Sequence, residues 1–353
     1  MRALVVGGWG RAAEFADVQE PAPRPDECLI AVDSVLLGAG DVFFSQGVDY
    51  KQDGAAFVFP HVPGFRGSGV VVSAPSGSPA AGTRVAINGV VGCGRCARCA
   101  AGADNLCSSP YLLGLSSGHF GSAAELIAVP ARQLHPLSDG IPFIDSLLAS
   151  DAALLIHAFR RARLQLGESL AVVGAGRIGT AAIAVARAGG ADPIVALDPS
   201  PESRAAALRA GATHAIDPAE LSAAAIPAAL AEACGGAPDV VLEAVGKAES
   251  IASALSLGRG GGRTILLGLL GGVRVTASYY TDVISKENEL IATFGKTNAD
   301  FRAAIRLIAR GAVSAELLPV RTFTWAEALE AWQESVTAPG ARNAIAVFAN
   351  GAA

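Results

Sequence analysis

The sequence has neither a long apolar run nor a secretory leader. It begins MRALVVGG, a strand-like segment in which no basic region precedes an apolar one. Charge-free apolar runs stay well short of the roughly 18 residues that a membrane-spanning helix needs. We therefore expect a soluble protein with no membrane partner.

Blocks of positive charge are missing as well, and so are cysteine pairs spread along the chain. The formal net charge is −5, and the arginine cluster at Arg160–Arg163 fits a solvated helix face. Only Cys28 and Cys234 lie outside one short segment, too few for a disulfide framework. These absences argue against a nucleic-acid partner and favour a reducing, cytoplasmic compartment.

The other four cysteines crowd into residues 92–108, called the cysteine lobe below. Cys93, Cys96, Cys99 and Cys107 follow the pattern C-x2-C-x2-C-x7-C. Four thiolates at such spacing can surround one Zn²⁺ with Zn–S distances of about 2.3 Å, and a full set of sulfur ligands leaves no open position for chemistry. Two disulfides are the alternative, but a Cys-x2-Cys pair is poorly spaced for one. The sequence thus predicts one structural zinc ion per subunit.

The pattern of apolar runs changes near residue 150 and divides the 353 residues into two predicted domains. Up to residue 149, short β-like runs are broken by Gly and Pro, as in a small β-barrel. From 150 to 295, apolar strands alternate with Ala- and Leu-rich helical stretches, which predicts a parallel sheet with helices on both faces. Residues 296–353 are too few for a third domain and are expected to fold back onto the first. The predicted fold class is α/β.

A glycine-rich turn in the second domain has the features of a dinucleotide site. Gly174, Gly176 and Gly179 follow the apolar strand LAVV and open a helix, so a pyrophosphate can approach the backbone and the helix N-terminus. Asp198 ends the next predicted strand, about 20 residues further on, where a carboxylate accepts hydrogen bonds from ribose hydroxyls and repels a 2′-phosphate. A helix N-cap before Pro199 is the alternative role. We expect NAD(H) rather than NADP(H). Further predicted cofactor contacts are Arg177, Ile178, Arg204, Ala244, Val245, Gly268, Leu269 and Phe294.

The cysteine lobe, the glycine-rich turn and their order resemble the zinc-dependent medium-chain alcohol dehydrogenases. The stretches VPGFRGSGVV, GSAAELIAVP and DVVLEAVG also match segments of that family, and the likeness covers essentially the whole chain. The resemblance implies a GroES-like β-barrel catalytic domain built from residues 1–149 and 296–353. Between these segments it implies a Rossmann cofactor domain, a doubly wound parallel sheet, at 150–295. It also implies a small-molecule substrate and a homodimer or homotetramer.

The chain departs from the family at the ligands of the catalytic zinc. The family's Cys-Gly-x-Asp turn is GAGD at residues 38–41, so only the Asp remains. Its Gly-His-Glu segment is GFR at residues 64–66, which removes the second ligand and turns the exchangeable Glu into a cation. The third ligand position falls on Asp151, or on Ser150 if the alignment is ungapped. Since Zn²⁺ needs three protein ligands and an open site for this chemistry, we expect no catalytic zinc.

The family's proton relay is also missing, because its Ser/Thr and His positions hold Gly40 and Phe43. The candidate catalytic side chains that remain are Asp41, Arg66, His61, His119 and Asp151. Asp41 has lost the histidine it would support, and a lone carboxylate or guanidinium is costly to bury. We therefore expect Arg66 to pair with Asp41 or Asp151. The alternative is that Arg66 points to solvent.

Hydride transfer without a Lewis acid favours a substrate that is already activated. A plain ketone develops full alkoxide charge, whereas an iminium is already cationic and an α,β-unsaturated carbonyl spreads the charge over an enolate. The sequence therefore predicts an NADH-dependent reductase of an activated C=C or C=N bond. One alternative is a zinc-type alcohol dehydrogenase or carbonyl reductase with ligands recruited from His61 or His119. Another is a non-redox cyclase or binding protein on the same scaffold.

Overall fold

The structure is a computed structural model that describes residues 1–38, 40–41, 57–268, 274–318, 321–337 and 346–349. It divides into two compact units. Unit 1 comprises Met1–Ser150, Lys296–Ala309 and Val320–Ala353, and unit 2 comprises Asp151–Gly295 and Arg310–Pro319. Residues 310–319, where Val313 and Leu318 are buried, group with unit 2, whereas all of 296–353 were expected with the first domain.

The N-terminal part of unit 1 is mostly antiparallel β-structure. Its strands are β1 (Arg2–Val6), β2 (Ala13–Asp17), β3 (Glu27–Leu37), β4 (Arg66–Ser73), β5 (Arg84–Ile87), β6 (Val90–Val91), β7 (Tyr111–Leu112), β8 (Leu126–Pro130) and β9 (Leu134–Pro136). The long strand β3 pairs with both β4 and β8, and β4 continues through β5 to β9. Two short helices, α1 (Ala97–Ala100) and α2 (Phe143–Leu147), interrupt the strands.

A cluster of buried side chains fills unit 1 beside β3. Cys28, Ile30 and Val32 alternate along this strand, because successive side chains of a strand point to opposite faces, and they pack with apolar side chains of β5 and β8. Gly69 in β4 is required for the close pairing of the two strands. A Cβ at this position would lie 2.0 Å from the carbonyl oxygen of Ala31.

The middle of the chain forms a parallel sheet with intervening helices. The elements are α3 (Ala149–Ala162), β10 (Leu170–Val173), α4 (Arg177–Ala188), β11 (Ile194–Leu197), α5 (Pro201–Arg209), β12 (His214–Ile216), α6 (Ile226–Cys234), β13 (Val240–Glu243), α7 (Ala248–Leu257), β14 (Arg263–Leu266), a π-helical turn (Tyr279–Ile284) and β15 (Glu289–Ala292). The strand order is β12-β11-β10-β13-β14-β15, with parallel neighbours throughout. This order is typical of dinucleotide-binding folds, in which the ligand lies beyond the carboxyl ends of the strands, where the order reverses.

After β15 the chain returns to unit 1. The elements there are α8 (Asn298–Ala309), β16 (Arg321–Thr324), α9 (Ala328–Thr337) and β17 (Ala346–Ala349). Strand β17 pairs antiparallel with β3 and parallel with β16, so the C-terminal segment completes the seven-stranded sheet of unit 1. Among the described residues, none of the helices combines the length and the apolarity that crossing a bilayer would require.

Candidate functional site

The cysteine lobe brings its four sulfur atoms together. The Sγ atoms of Cys93, Cys96, Cys99 and Cys107 all lie within 4.8 Å of one another. The Cys96 and Cys107 sulfurs are 3.9 Å apart. A tetrahedron with Zn–S bonds of about 2.3 Å has edges of about 3.8 Å. All four cysteines are free, so the structure does not contain the alternative pair of disulfides. The donor set and its spacing fit one zinc ion.

Backbone N–H groups point at the sulfur atoms of the lobe. Those of Cys93 and Ser109 donate to Cys107 Sγ at 3.1 and 3.3 Å. Cys96 is the N-cap of α1. Hydrogen bonds from backbone N–H groups, above all from that of Cys99, lower the pKa of the Cys96 thiol to about 5. Such donors stabilise the thiolate, which is the form that binds a metal.

The glycine-rich turn of unit 2 has close contacts that demand glycine. Gly174 leaves β10 with a φ of +90°, and a Cβ there would lie 2.4 Å from Val245 Cγ2. A Cβ at Gly179, in the first turn of α4, would lie 1.8 Å from the carbonyl oxygen of Gly174. Gly176 is the N-cap of α4, whose first N–H groups form the kind of anion site that helix N-termini offer. The turn therefore fits the pyrophosphate of a dinucleotide.

Asp198 lies at the end of β11 and contacts the glycine-rich turn. Its Oδ2 accepts the N–H of Ala175 at 2.8 Å, and its Oδ1 accepts the N–H of Ser200 at 2.8 Å. Ser200, not Asp198, is the N-cap of α5, and it accepts the N–H of Ser203 at 3.2 Å. A carboxylate has about four acceptor sites, so Asp198 can fix the turn and still accept from a ribose.

Two of the predicted cofactor contacts are arginines that are engaged within unit 2. Arg204 donates from Nη1 to the carbonyl oxygen of Asp198 at 2.9 Å and to Asp217 Oδ2 at 2.7 Å. Arg177 forms a buried ion pair with Asp151, whose side chain is 1% exposed. Asp151 is one of the two candidates for the third zinc-ligand position, and here its carboxylate holds the first residue of α4.

The remaining predicted cofactor contacts follow the strands of the sheet, except Ile178, which lies in the first turn of α4. Val245 lies against Gly174, and Phe294, just after β15, is 48% exposed. Half-buried positions are Ile178, Ala244 and Gly268. Leu269, and Phe43 of the family's proton relay, lie outside the described residues.

Asp41 is buried in unit 1 and joins two turns of the chain. Its Oδ1 accepts the N–H groups of Gly64 and Phe65, each at 3.1 Å, and its Oδ2 accepts the N–H of Gly38 at 3.0 Å. The sequence offers only Arg66 as a partner for Asp41, and the structure adds three backbone donors in place of the histidine. Asp41 thus ties Gly38 to Gly64 and Phe65.

Arg66 lies beside Asp41, with its side chain 14% exposed. The distance from Arg66 Nη1 to Asp41 Oδ2 is 4.0 Å, an ion pair that is too long for a hydrogen bond. The guanidinium carbon lies 5.5 Å from the ring centre of Phe65. Burial lowers the pKa of Arg66, and the charge of Asp41 opposes that shift. The guanidinium is therefore held near the family's second ligand position rather than in solvent.

A lysine that belongs to no sequence motif lies at the same place. Lys296 is 4% exposed, and its Nζ donates to Ser150 Oγ at 2.5 Å and lies 4.3 Å from the ring centre of Phe65. Phe65 matches the second ligand position of the family and Ser150 is one of the two candidates for the third, so one ammonium contacts both. Lys296 and Ser150 are 146 residues apart in the chain. No local pattern reveals such a contact, which is why sequence reasoning missed Lys296.

The residues at these positions do not fit a catalytic zinc. Gly38 and Phe65 offer no side-chain ligand, and two cations, Arg66 and Lys296, lie against the Phe65 ring. Within the described part of the chain, the lobe cysteines are the only group of His, Cys, Asp or Glu side chains close enough to share a metal ion. Missing donor atoms and charge repulsion both oppose Zn²⁺ here.

His61 and His119 have the contacts of packing residues. His61 is buried, its Nε2 lies 2.7 Å from the carbonyl oxygen of Gly114, and burial lowers its pKa. The ring of His119 stacks on Tyr111 with centroids 3.7 Å apart, and burial lowers its pKa too. Both rings thus have packing contacts, and the charge of Asp41 also acts on His61.

Known proteins resemble this chain over nearly its full length. Residues 24–139 match the family described as Alcohol dehydrogenase GroES-like domain, and residues 178–310 match the family described as Zinc-binding dehydrogenase. L-galactonate-5-dehydrogenase of Escherichia coli (strain K12) is 29% identical over 319 residues, which is 90% of each chain. A protein of Aspergillus clavatus named probable D-xylulose reductase A is 31% identical over 342 residues, 94% of this chain and 93% of that one.

Solved structures have the same fold. A short chain alcohol dehydrogenase from Escherichia coli CFT073 complexed with NADH has a TM-score of 0.86 at 19% identity and covers 99% of both chains. A protein of Sinorhizobium meliloti 1021 bound to NADP has a TM-score of 0.87 at 25% identity, covering 99% of this chain and 98% of that one. The predicted α/β class, with a GroES-like domain and a parallel-sheet Rossmann-like domain, is confirmed. The chain is an oxidoreductase, and it belongs to the zinc-type medium-chain alcohol dehydrogenase family.

Proposed function

We propose that this oxidoreductase uses NADH to reduce a carbon–carbon double bond conjugated to a carbonyl group, with a lysine and an arginine in place of a catalytic zinc. The position of Lys296 is the observation that supports this most strongly. Its ammonium contacts Phe65, at the second ligand position, and Ser150, one of the two candidates for the third. A positive charge thus remains where the family places its metal.

Hydride addition to such a substrate creates negative charge on the carbonyl oxygen. NADH, held by the glycine-rich turn and Asp198, would supply a hydride to the β-carbon. The π electrons of the C=C bond would then move toward the oxygen, and a proton delivered to the α-carbon would neutralise the resulting enolate. A fixed donor at such an oxygen typically stabilises the transition state by about 3 kcal/mol. Lys296 and Arg66 supply the donors. The Ser150 hydroxyl, which accepts from Lys296, can pass on the proton.

The same two cations disfavour an iminium substrate. An iminium brings a positive charge of its own, which Lys296 and Arg66 would repel. A secondary alcohol or plain ketone is the second candidate. It is favoured by the relatives named for L-galactonate and D-xylulose, and by the Ser150–Lys296 pair, which can exchange a proton with an alkoxide.

A recruited zinc site and a non-redox role both have less support. Zinc ligation by His61 would break its contact with the Gly114 carbonyl oxygen, and ligation by His119 would break its stacking on Tyr111. A non-redox cyclase or binding protein would not need the glycine-rich turn, whose close contacts at Gly174 and Gly179 suit a dinucleotide.

The cofactor, metal and assembly assignments belong to the same proposal. Asp198, which accepts the N–H of Ala175 in the glycine-rich turn, supports NADH over NADPH. The four close sulfur atoms support one structural zinc ion per subunit. Unit 1 is then the catalytic domain and unit 2 the cofactor domain. A cytoplasmic homodimer or homotetramer, which the family resemblance implies, completes the proposal, and sedimentation analysis measures its mass.

A panel of small probes tests the proposed reaction. The protein is given NADH with cyclohexenone, cyclohexanone or a cyclic iminium salt, the nicotinamide absorbance is followed, and zinc is counted by mass spectrometry. We expect turnover of the enone at least about tenfold faster than that of the ketone, with one zinc ion per subunit. Faster turnover of the ketone would select the second candidate. Two zinc ions per subunit, or fastest turnover of the iminium, would refute the zinc-free cationic site.

A further inference from the structure

Lys296 is separated by Thr297 from Asn298, where α8 begins, and the first turn of this helix is capped. The backbone N–H of Thr297 donates to Asp300 Oδ2 at 3.1 Å, and the N–H of Asp300 donates to Thr297 Oγ1 at 3.2 Å. This reciprocal pair is the arrangement that fixes where a helix begins. The backbone of Lys296 is therefore set by the position of the α8 N-terminus.

Asn298, the first residue of α8, is tied to the β-structure of unit 1 by its side chain. Its Nδ2 donates to Gln133 Oε1 at 2.6 Å, and its Oδ1 lies 3.0 Å from both Asn88 Nδ2 and His135 Nε2. These three partners are buried around β5 and β9. A buried polar network that satisfies its members favours a single arrangement. It therefore holds the start of α8 against the sheet.

The cysteine lobe adds a further contact to the same residue. Asp104 Oδ1 accepts the backbone N–H of Asn298 at 3.4 Å, which places a carboxylate at the N-terminus of α8. Asp104 is itself held by the lobe. The N–H of Cys107 donates to its carbonyl oxygen at 3.1 Å, and its Cβ lies 3.2 Å from where a Cβ at Gly92 would be. The position of Asp104 therefore depends on how the lobe is folded.

We infer that the cysteine lobe positions Lys296 through Asp104 and Asn298, so that loss of metal from the lobe releases the charge of Lys296 from the reaction site. The inference rests on the proposed function of Lys296. A lobe of short segments joined by four thiolates depends on its metal for its fold. When the lobe loosens, the N–H of Asn298 loses its carboxylate acceptor. The side chain of Asn298 then holds the start of α8 alone, and Lys296 leaves Ser150 and Phe65 more often. Asp104 and Asn298 are thus positioning residues.

The accessibility of the Lys296 amine tests this coupling without any substrate. Trace acylation with acetic anhydride, followed by peptide mass spectrometry, gives the modification rate of each lysine, and the exposed Lys247 of unit 2 is the internal reference. After removal of zinc with a chelator, we expect Lys296 to react about tenfold faster relative to Lys247. The same increase is expected in Asp104→Ala with zinc still bound. Asp104→Asn keeps an acceptor for the N–H of Asn298 and should react like the unmodified protein.

The variants separate this coupling from a general loss of stability. If Lys296 keeps its slow rate in zinc-bound Asp104→Ala, the inference is wrong, even if chelation unfolds the protein. It also fails if Asp104→Asn reacts as fast as Asp104→Ala. Glu14→Ala, which removes an exposed acid of β2, controls for surface charge. A Lys296→Met variant with normal turnover would refute the proposed function and leave the acylation result untouched.

Discussion

At the residue scale, the contacts of Lys296 explain why the substituted ligand positions suit an ammonium. Its Nζ lies 4.3 Å from the ring centre of Phe65. The face of a phenyl ring attracts a desolvated cation by about 2 kcal/mol but offers no lone pair to a metal. Ser150 adds a hydroxyl oxygen at 2.5 Å. A ring face and a neutral oxygen can hold an ammonium, whereas Zn²⁺ would find too few donors.

Asp198→Ala should reduce the preference for NADH over NADPH. The carboxylate can accept from the ribose hydroxyls of NADH, and it repels the phosphate of NADPH. We expect the ratio of kcat/KM values for the two cofactors to fall by about tenfold or more. Binding of both cofactors should also weaken, because Asp198 accepts the N–H of Ala175 in the turn. Glu249→Ala, at an exposed acid in the first turn of α7, should leave the ratio unchanged. An unchanged ratio in Asp198→Ala would remove this residue from the ribose site.

The free energy of unfolding should fall in mild acid, partly because of His135. Burial lowers the pKa of His135 to about 4, whereas a histidine in an unfolded chain titrates near pH ~6.5. The unfolded state therefore binds the proton first, so this contribution is intact above about pH 6.5 and is lost as the pH falls toward about 4. Urea unfolding at each pH measures the free energy of unfolding. In His135→Gln, the loss of this free energy between about pH 6.5 and about pH 4 should be smaller by up to about 3 kcal/mol. The same decline in His135→Gln and the unmodified protein would contradict the assignment.

At the element scale, the cysteine lobe and the glycine-rich turn are predictable from the sequence because their defining contacts are local. The contact between Gly179 and Gly174 lies within one turn, and the four cysteines are close in the chain. The site of Lys296 is different, since its contact with Ser150 spans 146 residues. The three backbone donors to Asp41 cannot be predicted from the sequence either, because no residue pattern specifies where those N–H groups point. Contacts between residues far apart in the chain therefore determine the parts of the site that local sequence motifs do not specify.

Gly92→Ala should weaken zinc binding by the cysteine lobe. A Cβ at this position would lie 2.9 Å from Cys99 Sγ and 3.2 Å from Asp104 Cβ, so the sulfur would have to shift. In competition with a chromophoric chelator, we expect zinc affinity to fall about tenfold. Gly140→Ala is the matched control, because a Cβ at that position meets nothing within 4 Å. Equal zinc affinity in the two variants would show that the lobe does not constrain Cys99 in this way.

At the scale of the whole molecule, the features on which the proposal rests are distributed over two units. Unit 2 carries the glycine-rich turn and Asp198, and unit 1 carries Arg66, Lys296 and the cysteine lobe. The C-terminal segment completes unit 1 through β17 and α8, and this return of the chain brings Lys296 to Ser150. Membership of the family predicts the folds of the two units. It does not predict Lys296 at the proposed reaction site, because the family has a metal ion at the corresponding place.

The rate of a single hydride-transfer turnover in Lys296→Met tests the central claim most directly. Methionine fills a similar volume without a charge, and the proposed NADH site is built from residues of unit 2. With NADH and the fastest enone in a stopped-flow instrument, we expect the rate to fall by a factor of about 10² to 10³. The NADH dissociation constant and the zinc content should not change, and Lys296→Arg, which keeps the charge, should recover part of the rate. A Lys296→Met rate equal to that of the unmodified protein would contradict the claim that this ammonium takes the place of the metal.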